Sequence, residues 1–444
     1  MVSELGSAAG LVAGGMLLLQ FITSGRFEAV AGRVGLDVTM GFHRIAGIGV
    51  TVVLLLHVLA FGTAGARNAI SASRRLGHML VAPSIFSGLL AAGAVLLLMG
   101  LALGRERLKL RYGTWRITHG LLAAAAVVLL AQHALRHGDY LRAHVSLQII
   151  ALVLFGLALL SIVEIWLLRD LRAGRRPWRV EAVRRLAPRL WEVTLYQQSG
   201  RPFRFRAGQF AWVVFGGLHS FADHPFSIAS SPGELPTLRL VIHEAGDMTS
   251  HIGALPLGTP AALDGPHGAL TVEGRDFDAL VLIAGGVGIA PIIGILRWLA
   301  EQRERRAVRV VVAAHKVADQ AFMQEIAELG GRLNLQAVHL IHATEPGWTG
   351  GVGRVSLPLL HGLLHGLPVE RTLALLCGPL PLMEAAAGQL AQLGVPDNNI
   401  RYERFDYAAA TDRQARRTRN AFLLMLAAIG LGVLAFAWRS WFSA

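Results

Sequence analysis

The sequence predicts a membrane α-helical bundle, five N-terminal helices plus one C-terminal helix, fused to a soluble portion in which a strand-rich segment precedes an α/β segment. Three observations carry this. Hydrophobic residues are 53% of the 444, charged residues only 16%, and mean hydropathy is +0.49, too apolar for an ordinary soluble chain. Five apolar runs long enough to cross ~30 Å of hydrocarbon lie before residue 170, and a sixth closes the chain. Between them the pattern first alternates as strands do and then alternates strand with helix.

Composition also excludes function classes. The net charge of +13 falls in short basic clusters beside apolar runs, which is positive-inside topology rather than a nucleic-acid-binding stripe. A single cysteine, Cys377, excludes internal disulfides, multi-cysteine metal sites and iron–sulfur clusters. There is no C-x-x-C-H, so any haem is held without thioether links.

The expected spans are 5 to 23, 41 to 63, 81 to 103, 113 to 135 and 144 to 168. The first begins with Glu4 rather than a basic region and lacks a small-residue cleavage signature, so it reads as a retained helix. The sixth, "AFLLMLAAIGLGVLAFAWRSWF", follows the basic linker "TDRQARRTRN". Arg105, Arg107, Lys109 and Arg111, the "RDLRAGRR" segment and the "RQARRTR" segment place the soluble portion in the cytoplasm of an inner (plasma) membrane protein. Both termini then lie outside, and the loop with Arg67, Arg74 and Arg75 is an exception to the rule. The expected domains are 1 to 172, 173 to 272, 273 to 407, and 408 to 444.

Histidines stand inside two spans, His43 and His57 in one, His119 and His133 in another. An ionisable ring in hydrocarbon is costly and points to function. Both pairs are 14 residues apart, which returns to within ~40° on a helix and separates the rings by ~21 Å along its axis. Pairing across helices gives His43 with His119 on the cytoplasmic side and His57 with His133 on the outer side. Two facing imidazoles suit the axial positions of a b-type haem, so two haems are expected. Interhelical hydrogen bonding is the alternative, and zinc is disfavoured because neither level adds a carboxylate or thiolate.

In "RFRAGQFAWVVFGGLHSFADHPFSIASSP" a strand pattern ends in His224, Pro225, Phe226 and Ser227. "VIHEAGDMTSHI" follows, in which Gly246, Thr249 and Ser250 open an expected helix whose amides can meet a pyrophosphate, and then "DGPHG" at 264 to 268. "DALVLIAGGVGIAPIIGILRWL" is a strand, a glycine turn and a helix. Gly285, Gly286 and Gly288 let backbone approach a pyrophosphate, and Pro291 sits in the first turn, where its missing N–H costs nothing. The next strand ends at His315 and Lys316. "TLALLCGPLPLM" ends a strand at Cys377, Gly378 and Pro379, and "IRYERFDY" follows.

In this order the motifs resemble the ferredoxin-reductase-like superfamily, and H-P-F-[ST] is the form found in NADPH oxidases and ferric reductases. The resemblance covers about residues 25 to 405. It implies a flavin-binding β-barrel, with His224 and Ser227 holding FAD, followed by an α/β nucleotide-binding domain for NADPH or NADH. Lys316 stands where a cation suits the 2′-phosphate of NADPH, or it is a solvated loop charge. Cys377 either takes part at the hydride-transfer site or is a small buried hydrophobe. Phe405 is the expected aromatic over the flavin, with Tyr402 and Tyr407 as alternatives. Two departures stand out: the chain runs on past that aromatic, and the histidines fall on the second and fourth helices where the family has them on the third and fifth. The C-terminal helix is expected to replace the missing one.

The resemblance implies a fused transmembrane oxidoreductase that moves electrons from cytoplasmic NAD(P)H through FAD and two haems to an acceptor outside. Flavin is needed because it takes electrons in pairs and releases them singly. The acceptor is oxygen, giving superoxide, or ferric iron in an anionic chelate; the outer-side Arg74, Arg75, His78, Arg136 and His137 either favour superoxide or draw such a chelate, or else contact lipid headgroups, and a periplasmic protein partner is a third option. The rival reading is a flavin reductase merely anchored by helices whose histidines are structural. A transporter is disfavoured by the scarcity of carboxylates and the lack of paired broken helices.

Overall fold

The computed structural model describes residues 2–24, 27, 36–64, 69–216, 223–246 and 248–403. The expected sixth span, the basic linker, Phe405 and Tyr407 lie outside the described residues. The chain divides into two compact units, one holding the apolar helices through residue 168 and one beginning at residue 169.

The first unit contains α1 (Val2–Leu19), α2 (Leu36–Thr63), α3 (Ala69–Val81), α4 (Phe86–Gly104), α5 (Tyr112–His137), α6 (Asp139–Ala143) and α7 (Val145–Val163). Among the described residues, α1, α2, α4, α5 and α7 are long and apolar enough to cross a membrane. Their large side chains, such as Leu56, Val128 and Leu152, face outward, while Ala46, Ala126 and Ala158 are buried. In lipid the backbone must satisfy itself, which a helix does, and small residues then let helices approach closely.

The structure differs from expectation before α4. That span starts at Phe86 rather than residue 81, because Pro83 opens a separate 3-10 turn, Pro83–Ile85. The arginines Arg74 and Arg75 lie on the amphipathic helix α3, not in a loop. At the far end α7 passes into a π-helical turn, Glu164–Leu168.

The second unit opens with α8 (Arg169–Gly174) and a six-stranded antiparallel sheet. Its strands are β1 (Trp178–Ala187), β2 (Leu190–Gln197), β3 (Phe210–Phe215), β4 (His224–Ser227), β5 (Thr237–His243) and β6 (Pro260–His267), in the order β4-β3-β6-β1-β2-β5. A bridge between Ile228 and Leu240 joins the two edges, so the sheet closes as a barrel and loses its edges. Every second residue of β2 and β5, including Val193, Leu195, Leu238, Leu240 and Ile242, packs inward around Trp178 and Phe203.

A parallel sheet follows, built from β7 (Ala279–Gly285), β8 (Ala307–Ala314), β9 (Leu335–Ile341), β10 (Gly351–Val352), β11 (Thr372–Cys377) and β12 (Ile400–Tyr402). Its order is β10-β9-β8-β7-β11-β12. Every residue of β7 and β11 is buried, as expected of strands covered on both faces. Helices α9 (Ile289–Glu301), α10 (Met323–Gly330), α11 (Leu357–Leu364) and α12 (Leu380–Gln392) supply that cover, in two separate core layers. Strand order reverses between β7 and β11, which places a ligand crevice at their carboxyl ends.

Candidate functional site

In the membrane unit the four histidines meet in the two pairs that their spacing suggests. Ring centroids are 6.3 Å apart for His43 and His119, and 6.4 Å for His57 and His133. His57 Nδ1 lies 2.7 Å from the Gly6 carbonyl oxygen. Donation of the Nδ1 proton there leaves the lone pair on Nε2, the arrangement that orients a ligating imidazole. Among the described residues, Nδ1 of His43, His119 and His133 is buried without a hydrogen-bond partner. Gln20 donates to the backbone oxygen of His43 at 3.2 Å.

Two glycines make room for the outer pair. A Cβ at Gly10 would stand 2.7 Å from the His57 ring, and one at Gly88 would stand 2.5 Å from the His133 ring. Sequence reasoning registers many small residues here but cannot tell which glycine faces which ring. It also passes over Trp115, whose ring centroid is 5.2 Å from that of His119.

In the second unit, His224, Pro225, Phe226 and Ser227 form β4 and pair with β3 from Phe210↔Ser227 to Val213↔His224. The expected helix start at Gly246 is instead a 3-10 turn, Thr249–Ala254. Thr249 Oγ1 accepts from the amides of Ala245 and Gly246 at 2.9 and 3.0 Å, so the side chain organises that turn. Ser250 Oγ is 3.0 Å from His251 Nδ1. Asp264, first residue of the "DGPHG" turn, accepts from the buried Arg169 at 2.9 Å.

The glycine turn after β7 and the C-G-P segment after β11 come together at the strand reversal. A Cβ at Gly288 would lie 2.1 Å from the Cys377 carbonyl oxygen, and one at Gly285 would lie 2.9 Å from Pro379. A Cβ at Gly378 would lie 3.0 Å from the Gly285 amide nitrogen. Gly286, in contrast, has φ +55° and nothing within 4 Å of its Cβ position, so it lines open space at the start of α9. Pro291 is the third residue of that helix. Lys316 is exposed just beyond β8, where its amide donates to Asp319 at 3.2 Å.

Cys377 is fully enclosed, and burial, followed by the carboxylate of Glu403, pushes its thiol above the ordinary range. Glu403 is itself buried and lies beside Gly268. Sequence reasoning missed this acid, which carries no local pattern. Tyr402, one of the alternatives for the flavin-facing aromatic, is half-buried on β12 opposite Leu376.

Three family models match in series. The ferric reductase like transmembrane component covers residues 9–130, an FAD-binding domain residues 179–270, and an oxidoreductase NAD-binding domain residues 282–388. The reductase component of propane 2-monooxygenase from Mycolicibacterium goodii is 29% identical over 209 residues, 46% of this chain and 60% of that protein. NADH-cytochrome b5 reductase 1 of Cryptococcus neoformans var. neoformans serotype D is 28% identical over 163 residues, 35% of this chain and 55% of that protein. The chain therefore spans about 60% or less of the length of these two relatives. Among solved structures, the flavohemoglobin of Malassezia yamatoensis shares 17% identity at a TM-score of 0.50, over 90% of this chain and 99% of that one, a likeness of fold alone. Five apolar helices, an antiparallel FAD-binding domain and a parallel NAD-binding domain thus follow one another.

Proposed function

We propose, from the premise that this chain carries the domain architecture of the ferric reductase and NADPH oxidase superfamily, that it moves electrons from NAD(P)H across the membrane to an outer acceptor. The route runs through FAD and two b-type haems, with the reductase unit in the cytoplasm of an inner (plasma) membrane protein. The acceptor is dioxygen, giving superoxide, or ferric iron.

One observation supports this most. Two imidazoles that would share one metal at about 2.0 Å per metal–nitrogen bond need their ring centroids roughly 6 Å apart. Both histidine pairs have that separation, at 6.3 and 6.4 Å. The donor set also fits haem iron rather than a bare ion, since among the described residues no three His, Cys, Asp or Glu side chains converge on a metal position. His43 and His119 would hold the flavin-side haem, and His57 and His133 the outer one.

When bound, FAD accepts electrons in pairs as hydride and releases them singly, and haem iron carries them singly. The chain's residues bind and orient. His224, Pro225, Phe226 and Ser227 hold FAD along β4, with Gly246, Thr249 and Ser250 at its pyrophosphate. Gly285, Gly286, Gly288 and Pro291 open α9 toward the NAD(P)H pyrophosphate, where backbone amides and the helix dipole favour an anion. Lys316 meets the 2′-phosphate and favours NADPH over NADH. Cys377, Gly378 and Pro379 shape the nicotinamide slot, and Phe405 covers the flavin until nicotinamide enters. His57 and His133 would both be taken up in holding the outer haem, and Arg74, Arg75, His78, Arg136 and His137 would receive an oxygen or anionic ferric acceptor on that side.

Purified full-length chain reduced with dithionite should display b-type haem absorbance at two haems per chain, and His57→Leu should retain one. A chain without haem would overturn the reading and leave a helix-anchored flavin reductase with structural histidines.

A further inference from the structure

Where α4 turns into α5, the guanidinium carbon of Arg105 lies 5.1 Å from the ring centroids of both Tyr112 and Trp115. Trp115 in turn stands 5.9 Å from Tyr112 and 5.2 Å from His119. An arginine stacked on two aromatic faces is fixed in place, with its five N–H donors still to be met. The Arg105 side chain makes no hydrogen bond or ion pair among the described residues. Trp115 Nε1 is buried and likewise has no acceptor. Buried donors are almost always satisfied, so the unmet indole N–H, with the half-buried guanidinium of Arg105 packed on the same ring, asks for an anion that the described residues do not supply.

That ring also neighbours His119, a member of the flavin-side pair. We infer that Arg105 and Trp115 form a receptor for a carboxylate of the group held by His43 and His119, a haem propionate on the reading proposed above, on which this inference rests. The porphyrin carries two such carboxylates on one edge, so a receptor on one side of the pair fixes the macrocycle's rotation as well as its charge. The chemistry that Arg105 and Trp115 recognise is shared with a phospholipid phosphate, and the test separates the two. A cation and an N–H donor beside the propionate also favour the reduced iron, because they offset the negative charge that reduction adds.

The test is potentiometric titration of purified full-length chain in lipid-free non-ionic detergent. Arg105→Gln and Trp115→Phe should each shift the reduced-to-oxidised ratio of one haem roughly tenfold toward oxidised, a fall of about 59 mV for a one-electron couple, and leave the other haem unmoved. Arg105→Lys keeps the charge and should recover most of the shift. Arg107→Gln, exposed on the same connection, should move neither haem. Potentials unchanged in both Arg105→Gln and Trp115→Phe, or altered only after phospholipid is restored, would overturn the inference. Absence of haem from the unmutated chain would refute the underlying proposal instead.

Discussion

His57 on the second helix is tied to the backbone of Gly6 on the first, with Nδ1 2.7 Å from the carbonyl oxygen across 51 positions of sequence. The first apolar helix is therefore part of the histidine site rather than a simple anchor, and Gly10, one turn further on, passes directly beside the same ring.

Gly10→Val should displace that ring. Its Cβ alone would stand 2.7 Å from His57 Nδ1, and branching adds bulk in the same place. Haem content measured as the pyridine haemochrome should fall from two per chain to one. Two haems with an unaltered spectrum would show that the ring does not need this clearance.

Gly288→Ala strikes the other unit. A methyl group 2.1 Å from the Cys377 carbonyl oxygen forces the glycine turn away from the C-G-P segment, and displacements of about 1 Å in a reacting site cost on the order of a hundredfold in rate. NAD(P)H-dependent ferricyanide reduction should drop by roughly that factor in kcat/KM. The dithionite-reduced haem spectrum should not change, since the affected loops belong to the second unit. Wild-type kinetics would contradict the crevice assignment.

Cys377 gives a pH dependence. Burial and then Glu403 raise its thiol, so the folded form keeps its proton where the unfolded chain loses it. The stabilisation is complete below the unfolded thiol's pKa of about 8.5 and is lost as pH rises above it. Unfolding of the full chain between pH 7 and 10 should lose less stability with rising pH in Cys377→Ala than in the parent. Parallel slopes would mean that the thiol ionises in place, and its enclosure would then be misread.

Arg297 joins the barrel to the nucleotide-binding domain. Its side chain, 8% exposed, binds both carboxylate oxygens of Glu325 at 2.6 and 2.9 Å and donates to the Ala229 carbonyl oxygen at 2.8 Å. Glu192 lies 3.7 Å away. Desolvation opposes the charge, but Glu325, Glu234 and Glu192 outweigh it and hold the arginine protonated. Arg297→Leu strands these carboxylates and should cost about 3–5 kcal/mol in urea unfolding of the second unit followed within the full chain. A loss below about 1 kcal/mol would place the pair among weak surface contacts.

Much of this was legible in the sequence because hydrocarbon and dinucleotides impose strict local rules. A run such as residues 145 to 163 has few structural options, and a 14-residue interval puts His119 and His133 on one helix face wherever the helix lies. The strand, glycine turn and proline of residues 279 to 291 likewise encode β7 and α9 by themselves. What escaped depends on tertiary neighbours. Helix α3 is short and mixes Arg74 and Arg75 with apolar residues, so nothing in it stands out from a polar loop. Gly10 and Gly88 look like any other small residues until the histidine rings are placed beside them. Glu403 becomes notable only when β12 sets it near Cys377, and Thr249 takes up the amide of Gly246, which the sequence assigned to a helix start.

Transmembrane electron flow is the central claim, and sealed inside-out vesicles holding the full chain and an enclosed, impermeant acceptor such as cytochrome c test it most directly. NADPH added outside should reduce the enclosed acceptor, and His57→Leu should abolish that while sparing ferricyanide reduction in the external medium. Reduction confined to externally added acceptor in the unmutated chain, or enclosed reduction undiminished by His57→Leu, would contradict it.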